Sequence, residues 1–180
     1  MKHINSGEII NHQTLESTQG ATVEIPDPNR LTHLQFRRFV GCPVCNLHMH
    51  EFFERNKDLL DHGIQEVVVF QSSTQAVSDR LMEAPFPLIA DSDKTLYKAF
   101  GVETSVSAML NPKMLPATLK GVWHYGVKLP ENYDAAFNLP AEFLIDSSGN
   151  VLASKYGSNY DDQWGVDGLL QLVENIQALH

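Results

Sequence analysis

"LTHLQFRRFVGCPVCNLHMHEFFERNKDLLDHGIQEVVVFQ", Leu31 to Gln71, joins two apolar runs through a stretch with the period of a helix. In the first run Leu34, Phe36 and Val40 share a face by alternation, the pattern of a strand with a buried side. From Pro43 to Leu60 no Gly or Pro follows the first residue. Proline suits the first helical position, because its missing N–H has no intrahelical partner there. "IQEVVVFQ" (64–71) is a near-continuous apolar run of the kind that a parallel strand buries on both faces. Strand, helix and parallel strand in that order make one crossover unit.

Working outward, "ATVEIP" (21–26) reads as a short edge strand in an N-terminal extension (residues 1–30), stopped by Pro26 and Pro28. Downstream, "STQAVSDRLME" (73–83) offers a capping residue and a short helix, "FPLIAD" (86–91) a third strand, and "SDKTLYKAF" (92–100) a helix ending at Gly101. "AEFLIDSSGNVLASKYG" (141–157) has the form of a hairpin turning at Asp146 to Asn150. "VDGLLQLVENIQAL" (166–179) repeats Leu169, Leu172, Val173 and Ile176 at helical spacing. The order predicts an α/β fold over residues 1–180 as a single domain: a three-layer α/β/α sandwich whose mostly parallel central sheet ends in a C-terminal antiparallel hairpin. Residues 103–139, with Pro112, Pro116 and Pro130 and broken helical patterning around Ala108 to Leu119, read as a helical insertion. Insertions of that length commonly serve as lids or contact surfaces.

Of 180 residues 43% are apolar, enough for a proper core, and 13 Lys and Arg against 22 Asp and Glu give a net charge of -9. That balance argues against a nucleic-acid backbone or an anionic membrane as partner. The start, "MKHINSGEIINHQTLES", has no apolar signal-like run, and no window approaches the ~18 apolar residues of a spanning helix. A cytoplasmic location is the expectation. Structural disulfides are rare there, so a CxxC pair points to catalysis or metal binding.

Cys42 and Cys45 are the only cysteines. With Pro43 opening the helix, Cys42 is its N-cap, where the unpaired N–H groups and the helix dipole stabilise a thiolate; Arg37 or Arg38 adds to this if it turns toward the motif rather than into solvent. Residues i and i+3 on a first turn lie near the ~5.5 Å between Cα atoms that a disulfide needs. A buried stripe runs through Cys45, Met49, Phe52, Phe53, Asn56, Leu59 and Leu60, with Cys42 off it. One sulfur is thus expected to face solvent and attack, the other to face the core and resolve. Two other readings remain beside this one: a pair of small buried residues, or a metal site. His48 and His50 point about 200° apart on a helix, so a metal set would be Cys42, Cys45 and His48 with a fourth ligand such as His124.

The CxxC at the mouth of the first long helix, the Leu139-Pro140 before "AEFLID", and the crossover-then-hairpin order resemble the thioredoxin fold. More narrowly, "FPLIADSDKTLYKAFGV" (86–102) and "FLIDSSGNVLASKYG" (143–157) are similar to the peroxiredoxin, or AhpC/TSA, branch. The resemblance implies a cis peptide bond before Pro140, packed against the CxxC, and puts Pro43, Pro140 and Arg38 beside the substrate. It implies a thiol oxidoreductase with antioxidant character and no cofactor, cycling a Cys42–Cys45 disulfide. The partners implied are a disulfide or hydroperoxide substrate and a cellular thiol reductant, and related folds often form homodimers. Cys42 attacks a disulfide and Cys45 releases the product; in the peroxidase alternative Cys45 is peroxidatic and Cys42 resolves. A copper-binding role like that of the Sco branch is a further alternative. Two departures stand out: Cys42 replaces the branch's threonine, and its arginine before the hairpin has no counterpart, since no arginine follows Arg80.

Overall fold

Strand β3 (Leu31–Arg37) organises the molecule, because its alternation sends two kinds of side chain to opposite faces of the sheet. The computed structural model describes residues 2–102, 104–105, 115–126 and 129–178. In chain order it has β1 (Gln13–Glu16), β2 (Thr22–Ile25), β3, α1 (Pro43–Glu54), α2 (Asn56–Asp61), β4 (Ile64–Phe70), α3 (Thr74–Leu81), β5 (Leu88–Ala90) and α4 (Thr95–Ala99). These are followed by α5 (Leu115–Tyr125), a 3₁₀ turn (Tyr133–Phe137), β6 (Ala141–Ile145), β7 (Val151–Tyr156) and α6 (Val166–Gln177).

The five-stranded sheet runs β5-β4-β3-β6-β7. Leu34 lies beside Val67 of parallel β4 on one side and Phe143 of antiparallel β6 on the other. Four strands share a direction and β6 opposes them. On one face Leu34 and Phe36 join Val67, Val69, Phe143 and Ile145 under Tyr97 and Phe100 at the α4 end. On the other face Val68, Phe70 and Leu144 pack against Met49 and Phe52 of α1 and Leu169 and Val173 of α6. Each such side chain, fully buried, contributes about 1.5–3 kcal/mol. The expected three layers and antiparallel hairpin are thus present, in a sheet of mixed direction.

Three elements differ from expectation. The strand at 21–26 is not an edge of the main sheet: β2 pairs with β1, which sequence patterning missed, in a separate hairpin whose Val23 and Ile25 are buried. The helix expected over 43–60 breaks at Arg55, whose backbone leaves helical geometry while its side chain reaches Asp58 at 2.9 Å and Asp167 of α6 at 2.5 Å. Within the insertion the helix lies at Leu115–Tyr125, toward the C-terminal end of the expected patterning. Ala108 to Met114 fall outside the described residues.

The end of β3 is fixed just before the cysteines. Asp91 accepts N–H bonds from Thr95, Leu96 and Tyr97 at 2.9, 2.9 and 3.0 Å, which caps α4. Tyr97 in turn donates its hydroxyl to the Arg37 carbonyl. The chain therefore leaves the sheet at a defined point and direction.

Candidate active site

Five residues after β3, Cys42 is the N-cap of α1. Pro43 takes the first helical position, as its sequence predicts, and the Cys45 N–H donates to the Cys42 Sγ at 3.3 Å. The Cys42 N–H is held by the Phe39 carbonyl at 3.0 Å, and the Asn46 N–H by the Cys42 carbonyl at 3.0 Å. An N-cap needs a side-chain acceptor, and here the acceptor is a sulfur.

Both sulfurs are covered, at 0% exposure for Cys42 and 2% for Cys45. This corrects the expectation that Cys42 faces solvent. The apolar stripe of a single helix says nothing of what covers its other side, and the N-terminus of α1 is roofed by segments distant in sequence. Phe39, Val44, Ala135 and Tyr160 enclose the pair, with Ala136 and Leu139 packed against them. On α5, Gly121 sits so close to Pro43 that a Cβ there would come within 2.7 Å of the Pro43 carbonyl carbon and oxygen. Only glycine allows that approach. A groove of about 360 Å³ between α1 and α3 begins at Asn46, but neither sulfur lines it.

Arg38 turns into this enclosure. Its Nη1 donates to the Cys42 Sγ at 3.6 Å, its Nη2 to the Ala136 carbonyl at 2.6 Å, and its guanidinium lies 3.8 Å over the Tyr160 ring centre. The residue is 9% exposed, and no carboxylate pairs with it among the described residues. Its neighbour Arg37 points to the other side, where its Nη2 meets Glu142 Oε1 at 3.2 Å in the closed interior. Glu142 also accepts the Trp164 N–H at 2.5 Å, and His33 meets Glu66 at 2.7 Å beside Gln35. Of the two arginines, one is neutralised by the protein and the other is left facing the sulfurs.

Burial alone pushes both thiols up. At Cys45 that push is outweighed by the Cys42 S–H bonded to its sulfur, then by the Arg38 guanidinium and the Arg38 backbone N–H, and the pKa falls to about 6. At Cys42 burial, and then the hydrogen bond and charge of Cys45, hold the thiol well above its ordinary range. The pair thus titrates in two steps that belong to both sulfurs together: burial of Cys42 and its neighbour Cys45 favour the first charge on Cys45, while the Arg38 guanidinium and the Cys45 N–H, both aimed at the Cys42 Sγ, favour it on the N-cap sulfur.

The remaining candidates divide clearly. The peptide bond before Pro140 is not cis; among the described residues the cis bond is Ile25–Pro26. Pro140 is buried, its carbonyl accepts the Gly157 N–H at 2.8 Å, and Leu139 before it packs against the cluster around the sulfurs. His48 is half-buried on α1. Burial, with Arg37 and His33 nearby, brings its pKa down to about 2, and its ring packs 5.1 Å from Phe52. Among the described residues no group of three or more His, Cys, Asp or Glu is placed to hold a metal ion. No helix among them is long and apolar enough to cross a membrane.

Sequence reading missed Tyr160 and the buried polar set. The polar set did leave a trace: His33, Gln35 and Arg37 alternate with Leu34 and Phe36 in a strand flanked on both sides. Polar residues at period two in such a strand must find partners inside. Tyr160, in the loop after β7, left none.

The sequence profile of the AhpC/TSA family matches residues 7–154. The fold is shared with peroxidoxin BcpB from Mycobacterium tuberculosis, at TM-score 0.64 and 14% identity over 99% of both chains. It is also shared with a cysteine-to-serine mutant of Xylella fastidiosa PrxQ, at 0.62 and 17% over 99% of both chains. A putative thiol:disulfide interchange protein DsbE from Chlorobium tepidum is similar at 0.61 and 17%, over 94% of this chain and 99% of that one. At these identities the likeness establishes the fold. No curated protein sequence matches the chain.

Proposed function

The chain belongs to the AhpC/TSA family, and from that premise we propose a thiol oxidoreductase that turns over by closing and reopening a Cys42–Cys45 disulfide. The observation that carries this is the geometry of the pair: two buried cysteines three residues apart at the mouth of α1, the Cys42 Sγ receiving the Cys45 N–H at 3.3 Å and, at 3.6 Å, a buried guanidinium that no carboxylate pairs with among the described residues. Their cover favours an oxidant small enough to enter beneath it, a hydroperoxide or a low-molecular-weight disulfide.

The Cys45 thiolate attacks one peroxide oxygen; the O–O bond breaks, and the leaving alkoxide takes a proton from solvent to become the alcohol. Cys42 then attacks the sulfenic sulfur of Cys45, its proton leaving with the hydroxyl as water, and the S–S bond forms. A cellular thiol reductant supplies two electrons and two protons to reopen it. Cys42 stands where the family's threonine would, and its S–H serves as a donor to the attacking sulfur. Arg38 supplies, from the chain just before the motif, the cation that no arginine after Arg80 can supply. A positive group beside the leaving oxygen stabilises the charge that develops there.

A second reading has Cys42 attack a disulfide first; the convergence of the Arg38 and Cys45 N–H donors on its sulfur favours it. Cys42→Ser and Cys45→Ser separate the two. If Cys45 attacks, Cys42→Ser still reacts with hydroperoxide and accumulates a sulfenic acid that a dimedone probe labels, while Cys45→Ser is inert. The reverse pattern, with mixed disulfide trapped on Cys42, selects the second reading. Failure of either cysteine in the reduced wild type to react faster than a free thiol at pH 7, with no disulfide on mild oxidation, would end both.

A further inference from the structure

A guanidinium buried away from water is ordinarily held by a carboxylate, because an unpaired interior charge is costly. Among the described residues Arg38 has none. Its partners there are one carbonyl, one sulfur and one close aromatic face, and its buried Nε has no hydrogen-bond partner among them. The carbonyl comes from Ala136 in the 3₁₀ turn and the face from Tyr160 in the loop between β7 and α6. Phe39 is more distant, at 5.5 Å from guanidinium carbon to ring centre.

We propose that Tyr160 is a positioning residue for the thiol chemistry, its ring face holding the Arg38 guanidinium over the sulfurs in the place a carboxylate would otherwise take. The difference matters chemically. A carboxylate would cancel the positive charge, and the sulfurs would face a neutral pair. A ring attracts the cation through its quadrupole while leaving the full charge for the thiolate. It also fixes the plane of the guanidinium, so that Nη1 and Nη2 point to Cys42 and Ala136 together. The hydroxyl lies at the far end, donating to the Ser105 carbonyl at 3.4 Å. It anchors the ring edge, and the face does the positioning.

This rests on the reading of the pair as reactive thiols, and the test keeps the two apart. The rate of iodoacetamide labelling of the reduced protein, followed against pH, gives the midpoint at which the reactive sulfur ionises. Tyr160→Leu removes the face at similar bulk and is expected to raise that midpoint by about half to one pH unit. Tyr160→Phe keeps the face and should hold the wild-type midpoint. In an Arg38→Met background Tyr160→Leu should add nothing, since there is no cation left to position. Should Tyr160→Leu disturb the fold, phenylalanines bearing one, two and three ring fluorines at position 160 preserve shape while draining the ring face; the midpoint is expected to climb with each fluorine. An unchanged midpoint across that series, or an equal shift with Tyr160→Leu when Arg38 is absent, overturns the proposal and leaves the thiol chemistry standing. A wild-type midpoint in the ordinary thiol range overturns both.

Discussion

Arg37 and Arg38 are consecutive, both buried, and do opposite things. Alternation along an extended chain sends Arg37 into the polar set between the sheet and the helices, where Glu142 meets it at 3.2 Å and Trp164 N–H holds the other carboxylate oxygen. It sends Arg38 toward the cysteines, where no carboxylate among the described residues pairs with it. The first is a structural ion pair, its charge met by Glu142 although its Nε and Nη1 have no hydrogen-bond partner among the described residues. The second keeps its charge for whatever anion forms beside it. What separates a supporting arginine from a reactive one is therefore the company each face provides, and a shift of one residue in register would exchange the two.

That contrast breaks most visibly at Arg37. Arg37→Met leaves Glu142 buried without its cation, and removing one member of a buried pair costs about 3–5 kcal/mol. Urea unfolding of the reduced variant measures it. The labelling midpoint of the cysteines should move little by comparison. A variant of near wild-type stability would show that the Trp164 N–H alone suffices for Glu142, and the contrast between the arginines would lose one side.

Arg38→Met should show the opposite pattern. Loss of an opposite charge close by raises a thiol pKa by about one to two units. Cys45 sits near 6 in the wild type, so its labelling is nearly flat with pH above about 7 and falls below it as the sulfur takes up a proton. In the variant the rise moves to higher pH, and labelling at pH 6 drops about five- to fifty-fold. Hydroperoxide consumption should fall with it, while the urea midpoint changes much less than for Arg37→Met. Equal loss of stability in the two variants, with labelling unaltered, would remove the distinction.

How much of this could be read in the sequence follows from the range of the interactions involved. Crossover unit, hairpin and last helix were legible because their signals are local: the apolar run at 64–71 becomes β4, and the stretch at 141–157 becomes the β6–β7 hairpin. The N-cap position of Cys42 was legible for the same reason, since Pro43 marks the helix start two residues before the second sulfur. Exposure was not. Stripe analysis of α1 sees only that helix, and the roof over Cys42 comes from Ala135 and Tyr160, about 90 and 120 residues away, through packing that has no local period. The opposing pulls on the two sulfurs escaped local reading for a related reason: the helix dipole and the Arg38 guanidinium favour charge on Cys42, and burial and Cys45 oppose it.

The smallest of these effects lies on α1 between the two regions. His48 belongs to the same helix as Cys45 but senses Arg37 and His33, and burial followed by their charges lowers its pKa to about 2. In the unfolded chain it returns to about 6.5. Between those values the unfolded state holds a proton that the folded state refuses, so stability is full above 6.5 and declines as pH falls below it, by up to about 1.4 kcal/mol per unit from this group. His48→Leu should flatten that part of the urea midpoint profile between pH 6.5 and 5.5, and do so with little effect on the labelling midpoint of Cys45. If instead the histidine variant moved the cysteine midpoint as far as Arg38→Met does, charge would be passing between the two sides of β3, and the separation of the two arginines would be one of position only.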